Sequence, residues 1–415
     1  MKMKSILMLS ALSLVSASLA NAQTVINITG ATAFRSAAST ALKAAFTANL
    51  TYAFNGSSFT GAQYQILKGD FSGITGTTII RTNWSGSVEG IRDLAQNNTI
   101  DFLPTSTTTS GGNGTSGALT TGLQSATAHL AFSDIYAAST PYDNGNVEGV
   151  PVGIIAFRFV ASRNANGILT NVTPQQFRNL ATSGFAKASL FTGNATHTTP
   201  VYLTGRNDGS GTRVTVLAET GKGYSQLVQQ YKGTLANSNS TISDLELWPT
   251  LDGTSVSNIY NTDTAGNGGY TSGGTIATLL GGNSTSVNLR AAGNNGTQGA
   301  ILSGGANKTV YVLGYLGTND SNTAVTNGGV ALSYNGVSLS VNSLGITNPE
   351  VIQKGAYTLW ANEQLYWRSG TDTGAVLTVK NKLISDIPTN LGNAGLALGG
   401  NMTVSRAEDG GLVGE

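Results

Sequence analysis

The 415-residue chain contains no cysteine, which excludes disulfides, iron–sulfur clusters, thiolate zinc sites, cysteine nucleophiles and lipidation at cysteine. Histidine is nearly as scarce. His129 and His197 are the whole supply, far apart in Thr-rich surroundings, and leave little material for a multi-histidine metal centre or a Ser-His-Asp triad. Charged residues make up 10%, against about 25% in ordinary globular proteins. With 22 Lys+Arg against 21 Asp+Glu there is no basic field to hold a polyanion, so no nucleic-acid partner is expected. Enzymatic chemistry is disfavoured and no cofactor is implied. What is abundant is glycine, 54 residues, in a pattern common among exported proteins with polar, neutral surfaces. The length points to two or three domains, at about 100 to 200 residues each.

One long apolar run exists, at the N-terminus. Lys2 and Lys4 precede the run Ile6 to Leu19, which closes on Ala20-Asn21-Ala22, a small-x-small cleavage pattern. Residues 1–22 therefore read as a signal peptide, cleaved after Ala22. Its loss removes two lysines and no acid, moving the formal charge from +1 to −1. No later stretch reaches about 18 uninterrupted apolar residues. The expected product is soluble and periplasmic, and without a cysteine it is not a lipoprotein.

Beyond Gln23, short β-branched runs alternate with helix-like segments, as in an α/β protein. Val25–Thr29 reads as a strand. Ala33–Leu50 reads as a helix with Phe34, Ala38, Leu42, Ala45 and Phe46 on one face. A strand near Thr78–Thr82, a helix near Val88–Asn97 and a strand Ile100–Phe102 follow. Residues 104–128 form a Thr/Ser/Gly tract without periodicity, expected to be an exposed insertion loop. VPVGIIAFRFVA at 150–161 suits a strand buried on both faces and crossing between lobes. A second polar region fills residues 235–300, followed by an apolar strand, Val310–Leu316.

The chemistry concentrates in Arg206-Asn207-Asp208-Gly209-Ser210-Gly211-Thr212, ahead of a helix over Arg213–Glu219. Glycines let the backbone approach a ligand, while Ser210, Thr212 and the free N–H groups of a helix start donate to an anion. Arg206 adds a permanent charge in a fork suited to an oxyanion. An ordinary Gly-rich turn with a Ser/Thr cap is the alternative. Three further segments have a strand running straight into a helix: ITGATAF at 28–34, WSGSVEGI at 84–91 and Phe132-Ser133-Asp134. Asp134 would repel an anion unless the ligand carries a proton to donate, which selects hydrogen phosphate over sulfate. As a structural residue it would be a cap. Trp84 and Phe59 could stack on a ligand, although aromatics near strand ends belong more often to the core. No paired carboxylates, P-loop or His-Glu metal motif is apparent.

In order and spacing these segments resemble the phosphate-binding proteins of ABC transporters. ITGATAF resembles that family's first phosphate loop and SGSVEGIRDL the second. NNTIDF with the later FSD resembles a stretch that is continuous in the family, and RNDGSGT is the strongest match. VLGYLG at 312–317 and GAYTLW at 355–360 resemble its late strands. The resemblance implies a type II periplasmic binding-protein fold: α/β, two lobes of mixed sheet flanked by helices and joined by two crossover hinge strands. Lobe one would take residues 23–150 and 314–415, and lobe two 151–313. It implies a ligand set of Thr32, Ala33, Phe34, Ser87, Asp134, Arg206, Asp208, Ser210, Gly211 and Thr212, with Asp208 also able to brace Arg206. The implied partners are inorganic phosphate and an inner-membrane ABC permease, with the protein a monomer. An exported structural or adhesive protein that keeps the fold without the ligand is the alternative.

Overall fold

The computed structural model describes residues 23–249, 264–294, 296–389, 391, 395–397 and 401–415. The expected leader lies outside them. Strand β1 (Thr24–Gly30) is rich in β-branched residues and buried through its second half, as a central strand must be. Helix α1 (Arg35–Ala44) turns Ala38, Ala41 and Leu42 inward. It stops short of the expected Leu50, and residues 46–55 form β2 (Phe46–Asn55) instead. Ala45 and Phe46 continue the helical spacing, but the β-branched and aromatic residues beyond them pair with β3 (Tyr64–Phe71). Asn49, at φ 55°, marks the irregular register of that pairing.

β4 (Thr77–Asn83) and α2 (Ser87–Gln96) fall close to expectation. The 104–128 tract is not wholly loop. It contributes β5 (Thr115–Gly117), an edge strand on β2, and residues Gln124–Thr127, which pair with Thr99–Phe102. Polar edge strands held by backbone bonds carry no hydrophobic alternation, so nothing in the residue pattern announces them. β6 (Leu130–Ser133) leads to Asp134, and the helix expected there is a single 3₁₀ turn, Ala137–Ser139.

Next come β7 (Val147–Ala161), α3 (Pro174–Ser183), β8 (Phe185–Lys187), β9 (Pro200–Leu203) and α4 (Gly211–Glu219). The polar 235–300 region holds part of a separate three-stranded sheet and α5 (Gly273–Leu280), with residues 250–263 and 295 outside the description. β10 (Tyr311–Gly317), α6 (Thr318–Thr326), β11 (Trp360–Arg368) and α7 (Gly374–Asp386) complete the main elements. Of the expected late strand at 355–360, only Trp360 is in β11.

The protein is a mixed α/β structure built on a twelve-stranded sheet in the order β8-β9-β10-β7-β11-β6-β1-β4-β3-β2-β5, with Val330–Ala331 pairing β7 off that path. β7 joins its two halves. The first part of β7 pairs with β11 and the last part with β10. Pro151 sits at a shift of register opposite β11, where a missing N–H does least harm. One core cluster packs Phe34, Leu42, Trp84, Phe132 and Trp367. Another packs Phe157, Phe177 and Tyr315 with Tyr357 and Trp360. β4 and β6 run parallel to β1, so the loops leaving all three strands emerge at one end of the sheet, the place where open α/β sheets present ligand sites.

Candidate functional site

Three helices start at this end, and none has a side-chain cap: α1 behind Phe34, α2 behind Gly86 and α4 behind Ser210. Each start offers unspent N–H groups and the positive end of a dipole. The segments are locked together by backbone. Gly86 N donates to Gly30 O at 3.0 Å, Ala31 N to Phe132 O at 2.8 Å and Val88 N to Gly209 O at 3.1 Å. Gly86 has φ 140°, and a Cβ there would lie 2.4 Å from Gly209 O, so a larger residue would push the α2 and α4 starts apart.

Arg206 is 2% exposed. Its Nε donates to Tyr270 O at 3.0 Å, and its Nη2 donates to Thr271 O at 2.9 Å and Thr32 Oγ1 at 3.0 Å. The carbonyls of Tyr270 and Thr271 thus hold the guanidinium, and Asp208 lies fully buried close enough to Glu89 to act on its charge. Burial lowers the Arg206 pKa while Asp320 and Asp134 support its charge. A guanidinium stays protonated through such shifts.

Asp134 receives hydrogen bonds from Ser87 Oγ and, at 3.5 Å, from Thr212 Oγ1. Gly211 presses on it, since a Cβ at that position would sit 1.6 Å from Asp134 Oδ1. Burial raises the Asp134 pKa, against the pull of Ser87 and Arg206. Ser210 Oγ is buried without a hydrogen-bond partner among the described residues.

Thr32, Ser87, Asp134, Arg206, Ser210, Gly211 and Thr212 are therefore brought together. Ala33 lines a small cavity of about 110 Å³ with Thr32. Phe34 is different. Its side chain is 0% exposed and packs on Phe132 at 5.8 Å between centroids, so its ring belongs to the core.

Several groups escaped the sequence reading. Glu363 is fully buried within reach of the Asp134 charge, with neither carboxyl oxygen hydrogen-bonded among the described residues, and desolvation raises its pKa well above the usual value. The two form a carboxyl pair that spacing could not reveal; an acid inside the apolar strand ANEQLYW was the available signal. Glu89, in the first turn of α2, is pushed up to about 7, mainly by burial. Arg35 was missed too. It borders the cleft beside Thr32, and a cation at a helix start, against the dipole, was its signal. Arg206 is not the single positive charge there. Among the described residues no group of three His, Asp or Glu could hold a metal ion, and no helix is long and apolar enough to cross a membrane.

No family model matches the chain and no curated protein matches it. Solved structures do. A phosphate ABC transporter substrate-binding protein with bound phosphate, from Clostridium perfringens, is 12% identical with a TM-score of 0.48, covering 91% of this chain and 100% of its own. An ABC-type phosphate transport receptor from Vibrio cholerae is 12% identical with a TM-score of 0.47, covering 89% of this chain and 96% of its own. PstS from Borrelia burgdorferi is 12% identical with a TM-score of 0.37, covering 90% and 99%.

Proposed function

We propose that the protein is an exported, periplasmic substrate-binding protein that captures phosphate, or a close oxyanion, for delivery to an inner-membrane ABC permease. The observation that carries this is the meeting of three uncapped helix starts at the Arg206–Thr32 hydrogen bond, an arrangement that places backbone donors and one fixed guanidinium around a point. Asp134 beside them would accept the proton of hydrogen phosphate. In this proposal lobe one takes residues 23–150 and 314–415 and lobe two 151–313, with the crossovers in β7 and β10, and closure about these strands buries the anion. The protein works as a monomer and performs no catalysis.

Calorimetric titration with phosphate, arsenate and sulfate tests the reading. Phosphate and arsenate should bind and sulfate should not. Absence of heat with all three favours an exported structural or adhesive protein on the same fold. One feature favours that second reading: Asp134 already has partners in Ser87 and Thr212.

A further inference from the structure

Residues 403–414 attach to two of the segments that build the anion cluster, in both cases outside the cluster itself. One is α4, which starts at the cluster with Gly211 and ends at Glu219. Arg406 Nη2 donates to Glu219 Oε2 at 2.7 Å, and a Cβ on Gly410 would lie 2.5 Å from the carbonyl carbon of Ala218. The other is the turn that follows Asp134. Tyr136 N donates to Asp409 Oδ2 at 2.8 Å, the Ser139 hydroxyl hydrogen-bonds to the same carboxylate, and Tyr136 Oη donates to Arg406 O at 3.0 Å. The segment is itself anchored. Arg406 donates to Trp360 O and Thr358 O, Thr403 N donates to Gln353 O at 2.9 Å, and Ser405 and Gly414 exchange backbone hydrogen bonds.

Asp134 belongs to both attachments. It lies two residues before Tyr136, and its own carbonyl accepts from Thr215 Oγ1 of α4 at 3.3 Å. A carboxylate that must meet one proton of a ligand needs placing to within about 0.5 Å, and residues around it have to supply that precision. We infer that Asp409 is a positioning residue for the anion site: through Tyr136 N and Ser139 it fixes the turn that carries Asp134, and with Arg406 it fixes that turn relative to α4. This rests on the oxyanion reading of the cluster, with Asp134 as the group that accepts the ligand's proton. Sulfate has no such proton, so a displaced Asp134 costs phosphate more than it costs sulfate.

The test is a competition titration of phosphate against sulfate in wild type, Asp409→Ala and Asp409→Asn, with urea unfolding of each protein. In Asp409→Ala the preference for phosphate should shrink by about fivefold or more, the worth of one well-placed hydrogen bond. Asp409→Asn keeps an acceptor for Tyr136 N and should retain the wild-type preference. Thr403→Val removes a hydrogen bond from the Thr403 hydroxyl to Gln353 O and serves as the control, lowering stability without moving the preference. An unchanged preference in Asp409→Ala overturns the inference, makes the segment an anchor only, and leaves the oxyanion reading standing. Asp409→Asn losing as much as Asp409→Ala overturns it as well, because the Asp409 charge and not its hydrogen bonds would then be at work. Wild type binding the two anions equally overturns the inference too, and wild type binding neither overturns the oxyanion reading along with it. Should Asp409→Ala fail to fold, Tyr136→Phe decides: it deletes the bond to Arg406 O, and an unchanged preference there counts against the inference in the same way.

Discussion

Arg206 Nη2 donates to Thr32 Oγ1 at 3.0 Å, across a separation of 174 residues, and ties the loop before α4 to the loop before α1. Two carbonyls, Tyr270 O and Thr271 O, fix the rest of the guanidinium. The charge is therefore held in place before any ligand arrives, which removes most of the ordering cost of using a flexible side chain. The same bond makes Arg206 a joint between segments.

Arg206→Ala should weaken phosphate binding by roughly tenfold or more, since a hydrogen bond to a charged group contributes about 1.5–3 kcal/mol and about 1.4 kcal/mol is a factor of ten. Calorimetry reads this directly. An unchanged dissociation constant would remove Arg206 from the site.

Stability should depend on pH through Glu89. Its pKa is raised from 4.5 to about 7, chiefly by burial, with Asp93 and Asp208 adding to the rise and Arg92 and Arg206 opposing it. The folded protein thus holds a proton that the unfolded chain releases. This stabilisation is fully present below about pH 4.5 and is lost as pH rises through about 7, about 3 kcal/mol in all at roughly 1.4 kcal/mol per pH unit. Asp409, also near 7 because of burial, adds to the same slope. Urea unfolding at pH 5 and pH 8 should show wild type losing more stability than Glu89→Gln. Equal losses in the two proteins would place the Glu89 carboxyl in water.

Near the C-terminus, the buried Arg406 pairs at 2.7 Å with Glu219, whose side chain is 9% exposed, and donates to Trp360 O and Thr358 O. Arg406→Ala leaves the Glu219 carboxylate buried without its counter-charge, a loss of about 3–5 kcal/mol. The urea midpoint should fall accordingly, and Glu219→Leu combined with Arg406→Met should recover much of it. A single mutant as stable as wild type would show that the C-terminal segment is not anchored by this pair.

The candidate cluster was legible because its residues are local in the chain. RNDGSGT places glycines, hydroxyls and a cation within seven residues, and ITGATAF and SGSVEGI show the strand end and the helix start side by side. The elements that were misread depend on partners distant in the chain. Phe46 fits a helix by spacing, and only the pairing with β3 decides for a strand. Asp134 meets Glu363 through the pairing of β6 with β11, which places Gln364 opposite Ser133. Phe34 looks like a ligand residue by position, yet helical phase turns its ring into the core against Phe132. Arg35, one residue on, takes the cleft face.

Asp134→Asn gives the sharpest separation between a ligand group and a cap. The carboxylate lies at the end of β6, takes hydrogen bonds from Ser87 and Thr212, and is surrounded by the α2 and α4 starts. If it accepts the proton of hydrogen phosphate, a sulfate dianion in the same position sets two acceptors face to face, a repulsion of several kcal/mol in a desolvated cleft. Asparagine replaces one acceptor oxygen by a donor of the same size, so sulfate should gain on phosphate by tenfold or more while Arg206 and the helix starts still hold either anion. Both proteins are to be titrated with the two anions in competition, at neutral pH and one ionic strength. Glu363→Gln serves as the companion variant. It removes the second carboxyl while leaving the Asp134 carboxylate in place, and should leave the order of preference intact. An equal phosphate-to-sulfate ratio in wild type and Asp134→Asn would assign Asp134 to holding Ser87 and Thr212 in place, and the cluster would then be a receptor for oxyanions without regard to their protonation.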